Sequence, residues 1–316
     1  MSELLKRIDA RTKLAGSNKL EMLLFSLGED ERTGREETFG INVFKVREVM
    51  RVPEITHAPD MPPSVEGMVS LRGALVPVVD LLRYAGIQSS KTPEIMVVTE
   101  YNGHTQGFLV ESVDTILRID WSAMKVPPDM LTAQMGGLIT AVTELKDGRI
   151  VMMMDVEKIL AETSNYADDA ALASIKPISA ENRTIFFADD SMVARKQIEK
   201  CLNVLGVKYV FSTNGKEAWQ ELIKIANRAE VLNQKVTDYI QLVLTDVEMP
   251  EMDGYVLTRN IKSDARFAGI PVIMHSSLSS DANAQLGKSV GVDEYVPKFE
   301  PHKLAEVLTR LLVPAQ

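Results

Sequence analysis

Acidic residues, a serine and a lysine follow short apolar stretches in the C-terminal part of the chain. Asp189 and Asp190 come directly after TIFFA, and Asp246 comes after IQLVLT. Ser276 ends the stretch PVIMHS, and Lys298 follows shortly after DEYV. The carboxyl ends of parallel strands lie at the same edge of a sheet, and ligands of open α/β sheets bind beyond that edge. These side chains are therefore expected to meet there.

This set of side chains has the chemistry of a phosphoryl acceptor. Three carboxylates at one edge repel one another unless a cation lies between them, and oxygen ligands of this kind suit Mg²⁺. The hydroxyl of Ser276 and the ammonium of Lys298 are groups that bind phosphoryl oxygens. The set predicts transfer of a phosphoryl group to Asp246, with the metal and Lys298 neutralising the developing charge. Acidic residues after strands are also common turn formers and helix caps, so the prediction depends on the combination in strand order.

Five strand-like stretches alternate with helical segments after residue 183. Strands that are covered on both faces form continuous apolar runs, and parallel strands need crossover connections. The pattern therefore predicts a doubly wound, five-stranded parallel α/β domain over residues 184–316. The helices are expected at 192–205, from about 215, 255 and 281, and at 302–311.

The N-terminal half has a different rhythm, with many short β-like stretches separated by turn residues. This pattern over residues 19–162 predicts an all-β barrel or a pair of small barrels. NG at 102–103 and DG at 147–148 are strong hairpin signals. His57 and His104 have no partners at metal-ligand or catalytic spacing, so this half is interpreted as a binding module.

Two further segments complete the predicted organisation. Residues 1–18 are expected to form a short amphipathic helical arm, because Leu4, Leu5 and Ile8 have helical spacing. Residues 163–183 are small, polar and acidic, which is typical of a linker.

Composition limits the possible partners and compartments. The 316 residues include 35 Lys plus Arg against 44 Asp plus Glu, for a net charge of -9, which argues against nucleic acid as a partner. One cysteine, Cys201, favours a reducing compartment, and the cytoplasm is the expected location. The sequence has neither the apolar region of a signal peptide nor a run long enough to insert directly into a membrane.

The C-terminal stretches also resemble a known family. FFADDS, LVLTDVEMPEMDGYVL, PVIMHSS and EYVPKF resemble the response-regulator receiver domain over about residues 183–316. The resemblance implies these roles: phosphoacceptor for Asp246, metal binding for Asp189, Asp190 and the backbone carbonyl of Glu248, switch hydroxyl for Ser276, invariant lysine for Lys298 and rotating aromatic for Tyr295. Glu251 and Asp253 are expected to face solvent and to help start the next helix.

The chain departs from the receiver pattern at two places. Receivers usually have proline directly after the lysine, whereas here Pro297 precedes Lys298 and Phe299 follows it. The usual Lys-Pro cis bond therefore cannot exist. Residues 215–239 also exceed the second helix and loop of the family by roughly ten residues, and such insertions in surface loops cost little.

The N-terminal stretches ETFGINVFKVREVM, VEGMVSLRGALVPVVDL and RIVMMMDVEKIL resemble the CheW-like domain over about residues 19–162. Domains of this family consist of two intertwined small β-barrels and connect chemoreceptors to a histidine kinase. By position, Val46, Glu48 and Arg72 match the region that contacts the receptor tip. The residues themselves leave other interpretations open, since Val46 could be core, Glu48 a solvated helix position and Arg72 a support for its turn.

Together the two resemblances imply a cytoplasmic chemotaxis scaffold at receptor arrays that is modulated by phosphorylation of Asp246. Such a protein is a signalling adaptor that catalyses only its own phosphorylation and dephosphorylation. One alternative is a receiver that acts mainly as a phosphate sink for the kinase. Another is a Mg²⁺-dependent phosphatase of the haloacid-dehalogenase type, although that nucleophile normally ends the first strand, and Asp246 follows the third.

Overall fold

The computed structural model describes residues 18–57, 59, 61–89, 91–101, 103–163, 172–178, 182–277 and 281–313, without the side chains of residues 134, 281–284 and 286. The predicted N-terminal arm lies outside the described residues except for residue 18. The chain divides into two compact units, one formed by Leu20–Ile119 and Met124–Asn165 and the other by Met1–Lys19, Asp120–Ala123 and Tyr166–Gln316. No helix in the described part of the chain combines the length and apolar character needed to cross a membrane.

The first unit is built from two five-stranded sheets. The strands are β1 (Lys19–Asp30), β2 (Arg35–Asn42), β3 (Val46–Arg51), β4 (Val65–Leu71), β5 (Ala74–Asp80), β6 (Ile95–Tyr101), β7 (His104–Val110), β8 (Ser112–Asp120), β9 (Ile139–Glu144) and β10 (Ile150–Met154). One sheet has the order β8-β1-β2-β10-β9, and the other has the order β3-β6-β7-β5-β4. Three short helices accompany them: α1 (Leu81–Ala85), α2 (Asp129–Gln134) and α3 (Val156–Thr163). The prediction of an all-β domain is confirmed.

Local sequence signals explain much of this unit. The NG hairpin joins β6 to β7 with Tyr101 opposite His104, and the DG hairpin joins β9 to β10 with Ile150 opposite Glu144. Both hairpin predictions are confirmed. The possible helical position of Glu48 is wrong, because Glu48 lies in strand β3 opposite Val98.

The second unit is a parallel sheet of order β12-β11-β13-β14-β15. Its strands are β11 (Thr184–Ala188), β12 (Lys208–Ser212), β13 (Leu242–Thr245), β14 (Val272–Ser276) and β15 (Glu294–Pro297), and its helices are α4 (Met192–Leu205), α5 (Gly215–Val231), α6 (Gly254–Ser263), α7 (Asp281–Val290) and α8 (Pro301–Leu312). Two separate apolar clusters include residues of the central strands, as expected for a sheet with helices on both faces. The doubly wound prediction is confirmed.

The helix that follows β11 begins and ends at recognisable signals. The side chain of Ser191 accepts a hydrogen bond from the backbone N–H of Ala194 and caps the start of α4. Gly206, with φ of 74°, ends the helix in the left-handed conformation that glycine adopts readily. These signals fix the loop between β11 and α4, which carries the first two acidic residues of the candidate site.

Candidate functional site

The three predicted acidic residues lie together at the carboxyl edge of the second sheet. Strands β11 and β13 pair in parallel with Ala188 opposite Thr245, so the residues that follow them leave the sheet side by side. Carboxylate oxygens of Asp189, Asp190 and Asp246 all lie within 4.8 Å of one another. The structure therefore brings together the acidic set that the strand order predicted.

Lys298 lies among these carboxylates. Its Nζ is 2.9 Å from Asp246 Oδ2 and 3.0 Å from Asp189 Oδ2. Lys298 and Asp189 are at most 1% exposed, and Asp246 is 3% exposed, so the three charges are almost completely removed from water. Buried charges are tolerated when they are paired, and this arrangement pairs one ammonium with two carboxylates.

The charge balance of the cluster suits a divalent cation. The three carboxylates and one ammonium of Asp189, Asp190, Asp246 and Lys298 carry a formal charge of two negative units in total. Carboxylate oxygens that converge within a few ångströms are the ligands that Mg²⁺ accepts. These residues therefore fit a magnesium ion.

Backbone groups fix the direction of both buried carboxylates. The N–H of Ser191 donates to Asp189 Oδ1 at 2.9 Å, and the N–H of Val247 donates to Asp246 Oδ1 at 2.6 Å. In both residues the second oxygen, Oδ2, is the one that contacts Lys298. The two carboxylates are thus held in place before any ligand arrives.

Arg195 supports the same loop and was not singled out from the sequence. Its Nη1 donates to the backbone carbonyls of Asp189 at 2.9 Å and Asp190 at 2.8 Å. An arginine in the first turn of the helix after an acidic pair is the signal that could have indicated it. Its guanidinium stabilises the loop conformation that directs the two carboxylates inwards.

Ser276 ends β14 and Tyr295 lies in β15, the two strands that follow β13 in the order of the sheet. Ser276 is fully buried at the end of β14, and its backbone carbonyl accepts a hydrogen bond from the N–H of Lys298 at 3.1 Å. Tyr295 makes side-chain hydrogen bonds with Ser276 and Tyr255. Burial raises the pKa of Tyr295, the hydrogen bond with Ser276 opposes the rise, and the charge of Asp246 adds to it. The predicted switch pair is therefore in direct contact.

Tyr255 is a further site residue that sequence reasoning missed. It lies in the first turn of α6 and is 2% exposed. Burial raises its pKa, and the neighbouring Tyr295 contributes to the rise. The tyrosine directly after the MDG stretch was its sequence signal, since a large aromatic side chain there starts a helix beside the acidic loop.

The loop from β13 to α6 has little room beside Asp246. A Cβ on Gly254 would lie 1.9 Å from the carbonyl oxygen of Asp246, which explains glycine at this position. Asp253 caps α6 by accepting from the N–H of Val256 at 2.7 Å. The expectation that Asp253 helps start the helix is confirmed, but its solvent-facing position is wrong, because the residue is 3% exposed. Burial raises its pKa to about 6.

The other two acidic residues of this loop differ in their surroundings. Glu248, two residues after Asp246, is 5% exposed. Glu251 is half-buried, adopts a positive φ of 66°, and its carboxylate lies 3.5 Å from Lys216 Nζ. Its predicted solvent-facing position is therefore only partly correct.

The three candidate receptor-contact residues lie in the sheet of order β3-β6-β7-β5-β4 or in its turn between β4 and β5. Val46 begins strand β3, and Glu48 lies two residues further along it. Arg72, in the turn between β4 and β5, places Nη2 2.9 Å from Glu48 Oε2. The Arg72 side chain is 69% exposed and that of Glu48 29% exposed. Glu48 and Arg72 thus form one accessible charged pair.

Comparison with known proteins assigns both units. Residues 21–164 match the CheW-like domain, and residues 185–309 match the response regulator receiver domain. Chemotaxis protein CheV3 of Helicobacter pylori is 31% identical over 306 residues, covering 93% of this chain and 95% of that protein. Chemotaxis protein CheV1 of the same organism is 27% identical over 333 residues, covering 99% of each. Chemotaxis protein CheW of Klebsiella aerogenes is 26% identical over 154 residues, covering 48% of this chain and 87% of that protein.

A β-rich CheW-like unit joined to a receiver with a buried acidic cluster defines a two-domain chemotaxis coupling scaffold, a signalling protein rather than a metabolic enzyme. Similarity extends across both domains and nearly the whole chain. The chain belongs to the CheV family of chemotaxis proteins.

Proposed function

We propose that this protein couples chemoreceptors to a histidine kinase through its CheW-like unit, and that phosphorylation of Asp246 modulates the coupling. The observation that carries the proposal is the buried contact of Lys298 Nζ with Asp246 Oδ2 at 2.9 Å and with Asp189 Oδ2 at 3.0 Å. This contact leaves a reactive carboxylate beside a cation that can receive phosphoryl oxygens. Membership of the CheV family supports the chemotaxis setting.

Asp246 is the proposed phosphoacceptor. One of its carboxylate oxygens attacks the phosphorus of a phosphohistidine on the kinase, so that a P–O bond forms while the P–N bond breaks. Lys298 pairs with the phosphoryl oxygens, and the hydroxyl of Ser276 donates a hydrogen bond to them. These groups serve only the protein's own phosphorylation and dephosphorylation.

Mg²⁺ is the proposed cofactor. The residues that would hold it are Asp189, Asp190, Asp246 and the backbone carbonyl of Glu248. When bound, the ion supplies neutralisation of the charge that develops on the transferring phosphoryl group. Asp189 and Asp246 are already directed by backbone hydrogen bonds, which supports a site that needs little rearrangement to take the ion.

The phosphoryl group adds a charge of about -1.5 to -2 at the edge of the sheet. Ser276 and Tyr295 reorganise around it, because they are hydrogen-bonded to each other next to Asp246. The altered receiver then changes how the CheW-like unit holds receptor and kinase. Val46, Glu48 and Arg72 are proposed to contact the receptor tip, and the protein acts at cytoplasmic receptor arrays.

Intact mass measurement of the full chain after incubation with acetyl phosphate and Mg²⁺ tests the acceptor. We expect one added phosphoryl group in the wild type and none in Asp246→Asn. Asp190→Asn keeps the acceptor but removes a proposed metal ligand, so its phosphorylation should need more Mg²⁺. Addition of the same group to Asp246→Asn would show that the acceptor is another residue.

Co-sedimentation with membranes that carry the chemoreceptor and the bound histidine kinase tests the coupling. The wild type should be retained, and a phosphodonor should change the associated kinase activity. Asp246→Ala should be retained without responding to the phosphodonor. Equal coupling by the wild type with and without phosphodonor would contradict modulation and favour a phosphate sink.

A further inference from the structure

Residues 172–178 belong to the predicted linker, yet they pack against the receiver. Leu172 is 8% exposed and is part of the apolar cluster formed by β-strands of the sheet with α4 and α8. Ile175 and Ile178 pack against the same cluster. The backbone N–H of Ile178 donates to the carbonyl of Leu205, at the end of α4, at 3.1 Å. This segment is therefore docked on the receiver.

Phe299 connects this docked segment to the acidic site. It directly follows Lys298 and occupies the position where receivers usually have proline. Its φ is 62°, in the left-handed region that is strained for a bulky residue. Only 9% of Phe299 is exposed, so packing of its ring offsets the backbone strain. The backbone next to Lys298 thus depends on what surrounds the Phe299 ring.

Leu172 and Phe299 line the same narrow cavity, which has a volume of about 20 Å³. His275 lines it as well and directly precedes Ser276 in strand β14. The N–H of Lys298 also donates to the carbonyl of Ser276 at 3.1 Å. His275 and Phe299, the chain neighbours of Ser276 and Lys298, therefore line the same cavity as Leu172 of the docked segment.

We propose that residues 172–178 form a latch whose docking reports the phosphorylation state of Asp246 through Phe299 and His275. The inference rests on the proposed phosphorylation of Asp246. A phosphoryl group offers new oxygens to Lys298 and Ser276 and draws both residues towards it. Phe299 and His275 are their chain neighbours and move with them. The cavity then no longer matches Leu172, and the docking of the latch weakens.

The position of the latch in the chain gives this change a consequence. Residues 172–178 lie between the CheW-like region that ends at 164 and the receiver region that begins at 185. Release of the latch frees residues 172–178 from the receiver, within the segment that joins the two domains. Binding free energies are reciprocal, so loss of the latch must tighten binding of a phosphoryl analogue by the same factor.

Hydrogen exchange of the full chain tests the latch directly. After acetyl phosphate and Mg²⁺, the peptide that covers residues 172–178 should exchange about fivefold faster, the effect of roughly 1 kcal/mol of coupling. Asp246→Asn should show no change. A phosphoryl group on Asp246 with unchanged exchange in this peptide would overturn the latch alone, whereas absence of any phosphoryl group would overturn the proposed function.

Binding of beryllofluoride with Mg²⁺ tests reciprocity in two matched leucine variants of the full chain. Leu172→Ala should bind the probe about fivefold more tightly than the wild type. Leu311→Ala removes the same side chain from α8, where it packs against the same cluster without lining the cavity, and should bind like the wild type. Unchanged affinity in Leu172→Ala, or equal shifts in both variants, would contradict the latch.

Discussion

Lys298 Nζ lies 2.9 Å from Asp246 Oδ2, and the ammonium also reaches Asp189 at 3.0 Å. The two carboxylates follow adjacent strands of the sheet, and the lysine follows a third. One side chain therefore joins three chain segments at the carboxyl edge. Because these charges are buried, removal of any one of them leaves the others without compensation in a site closed to water.

Lys298→Ala should destabilise the receiver, because it leaves buried carboxylates without their ammonium partner. Breaking such a pair costs about 3–5 kcal/mol, and Mg²⁺ should recover part of the loss by neutralising the carboxylates. Unfolding by urea, monitored through the hydrogen exchange of β13 in EDTA and in Mg²⁺, measures both effects. Lys303→Ala is the control, since Lys303 pairs with Glu306 at the surface. A receiver as stable in Lys298→Ala as in Lys303→Ala would contradict the prediction.

Gly254→Ala should disturb the loop that carries Asp246. The new Cβ would lie 1.9 Å from the Asp246 carbonyl oxygen, so backbone must move. We expect a loss of about 1–3 kcal/mol, typical of overpacking, together with slower phosphorylation by acetyl phosphate.

Gly287→Ala in α7 is the matched control for that variant. Its Cβ would meet its nearest neighbour at 3.5 Å, an ordinary contact. Alanine is the better helix former, so Gly287→Ala should be neutral or stabilising by up to about 1 kcal/mol. Equal thermal stability and equal phosphorylation of the two variants would show that the loop accommodates a side chain at residue 254.

The strands of the second unit and the residues at their carboxyl ends could be predicted from the sequence, because parallel strands covered on both faces are continuous apolar runs. Once TIFFA and LVLT are neighbouring strands, Asp189 and Asp246 must leave the sheet at the same edge. The direction of each side chain could not be predicted. It depends on the N–H groups of Ser191 and Val247, and their positions follow from the folded loops.

Burial was the property that the sequence left least determined. Asp253 has the same local pattern as any helix cap, and its tertiary surroundings, which include a hydrogen bond from its N–H to Asn18 Oδ1, make it inaccessible. Glu48 lies in VREVMR, a strand at the edge of its sheet in which charged and apolar residues do not alternate. Charged residues are common at such edges, so the segment gave a weak strand signal. Tyr255 was missed because its contact with Tyr295 is a tertiary one.

Asp253 should make receiver stability depend on pH. Its pKa in the folded protein is about 6, against an ordinary value of 3.8, because burial disfavours the charged form. The folded state therefore binds the proton more tightly than the unfolded state. The stabilisation that comes from the protonated Asp253 carboxyl is complete below about pH 4 and is lost as the pH rises through 6. The free energy of unfolding changes by up to about 3 kcal/mol over this range.

Asp253→Asn tests this dependence, because asparagine caps a helix as well as aspartate and does not titrate. The free energy of unfolding of the receiver, measured from urea titrations between pH 4 and 7, should favour the variant increasingly as the pH rises. The difference between variant and wild type isolates residue 253 from other titrating groups. A difference that stays constant over this range would show that the Asp253 carboxyl does not carry the raised pKa.

The pair of Glu48 and Arg72 should matter for receptor binding and little for folding. The Arg72 side chain is 69% exposed, and exposed ion pairs contribute about 0–1 kcal/mol to stability. Arg72→Gln should therefore unfold at nearly the wild-type temperature. If Arg72 is a receptor contact, its loss should weaken co-sedimentation with receptor membranes about tenfold, since arginine is frequent among residues that dominate interfaces.

Arg149→Gln provides the comparison for that experiment. Arg149 belongs to the same unit, is 51% exposed and pairs with Asp147 at 2.9 Å, so its replacement removes a similar surface charge. It should leave receptor binding unchanged at equal salt concentration. Glu48→Gln should weaken binding in the same direction as Arg72→Gln, because the two side chains form one charged pair. Equal binding by Arg72→Gln and Arg149→Gln would remove Arg72 from the proposed receptor contact and leave it a support for its neighbouring strand.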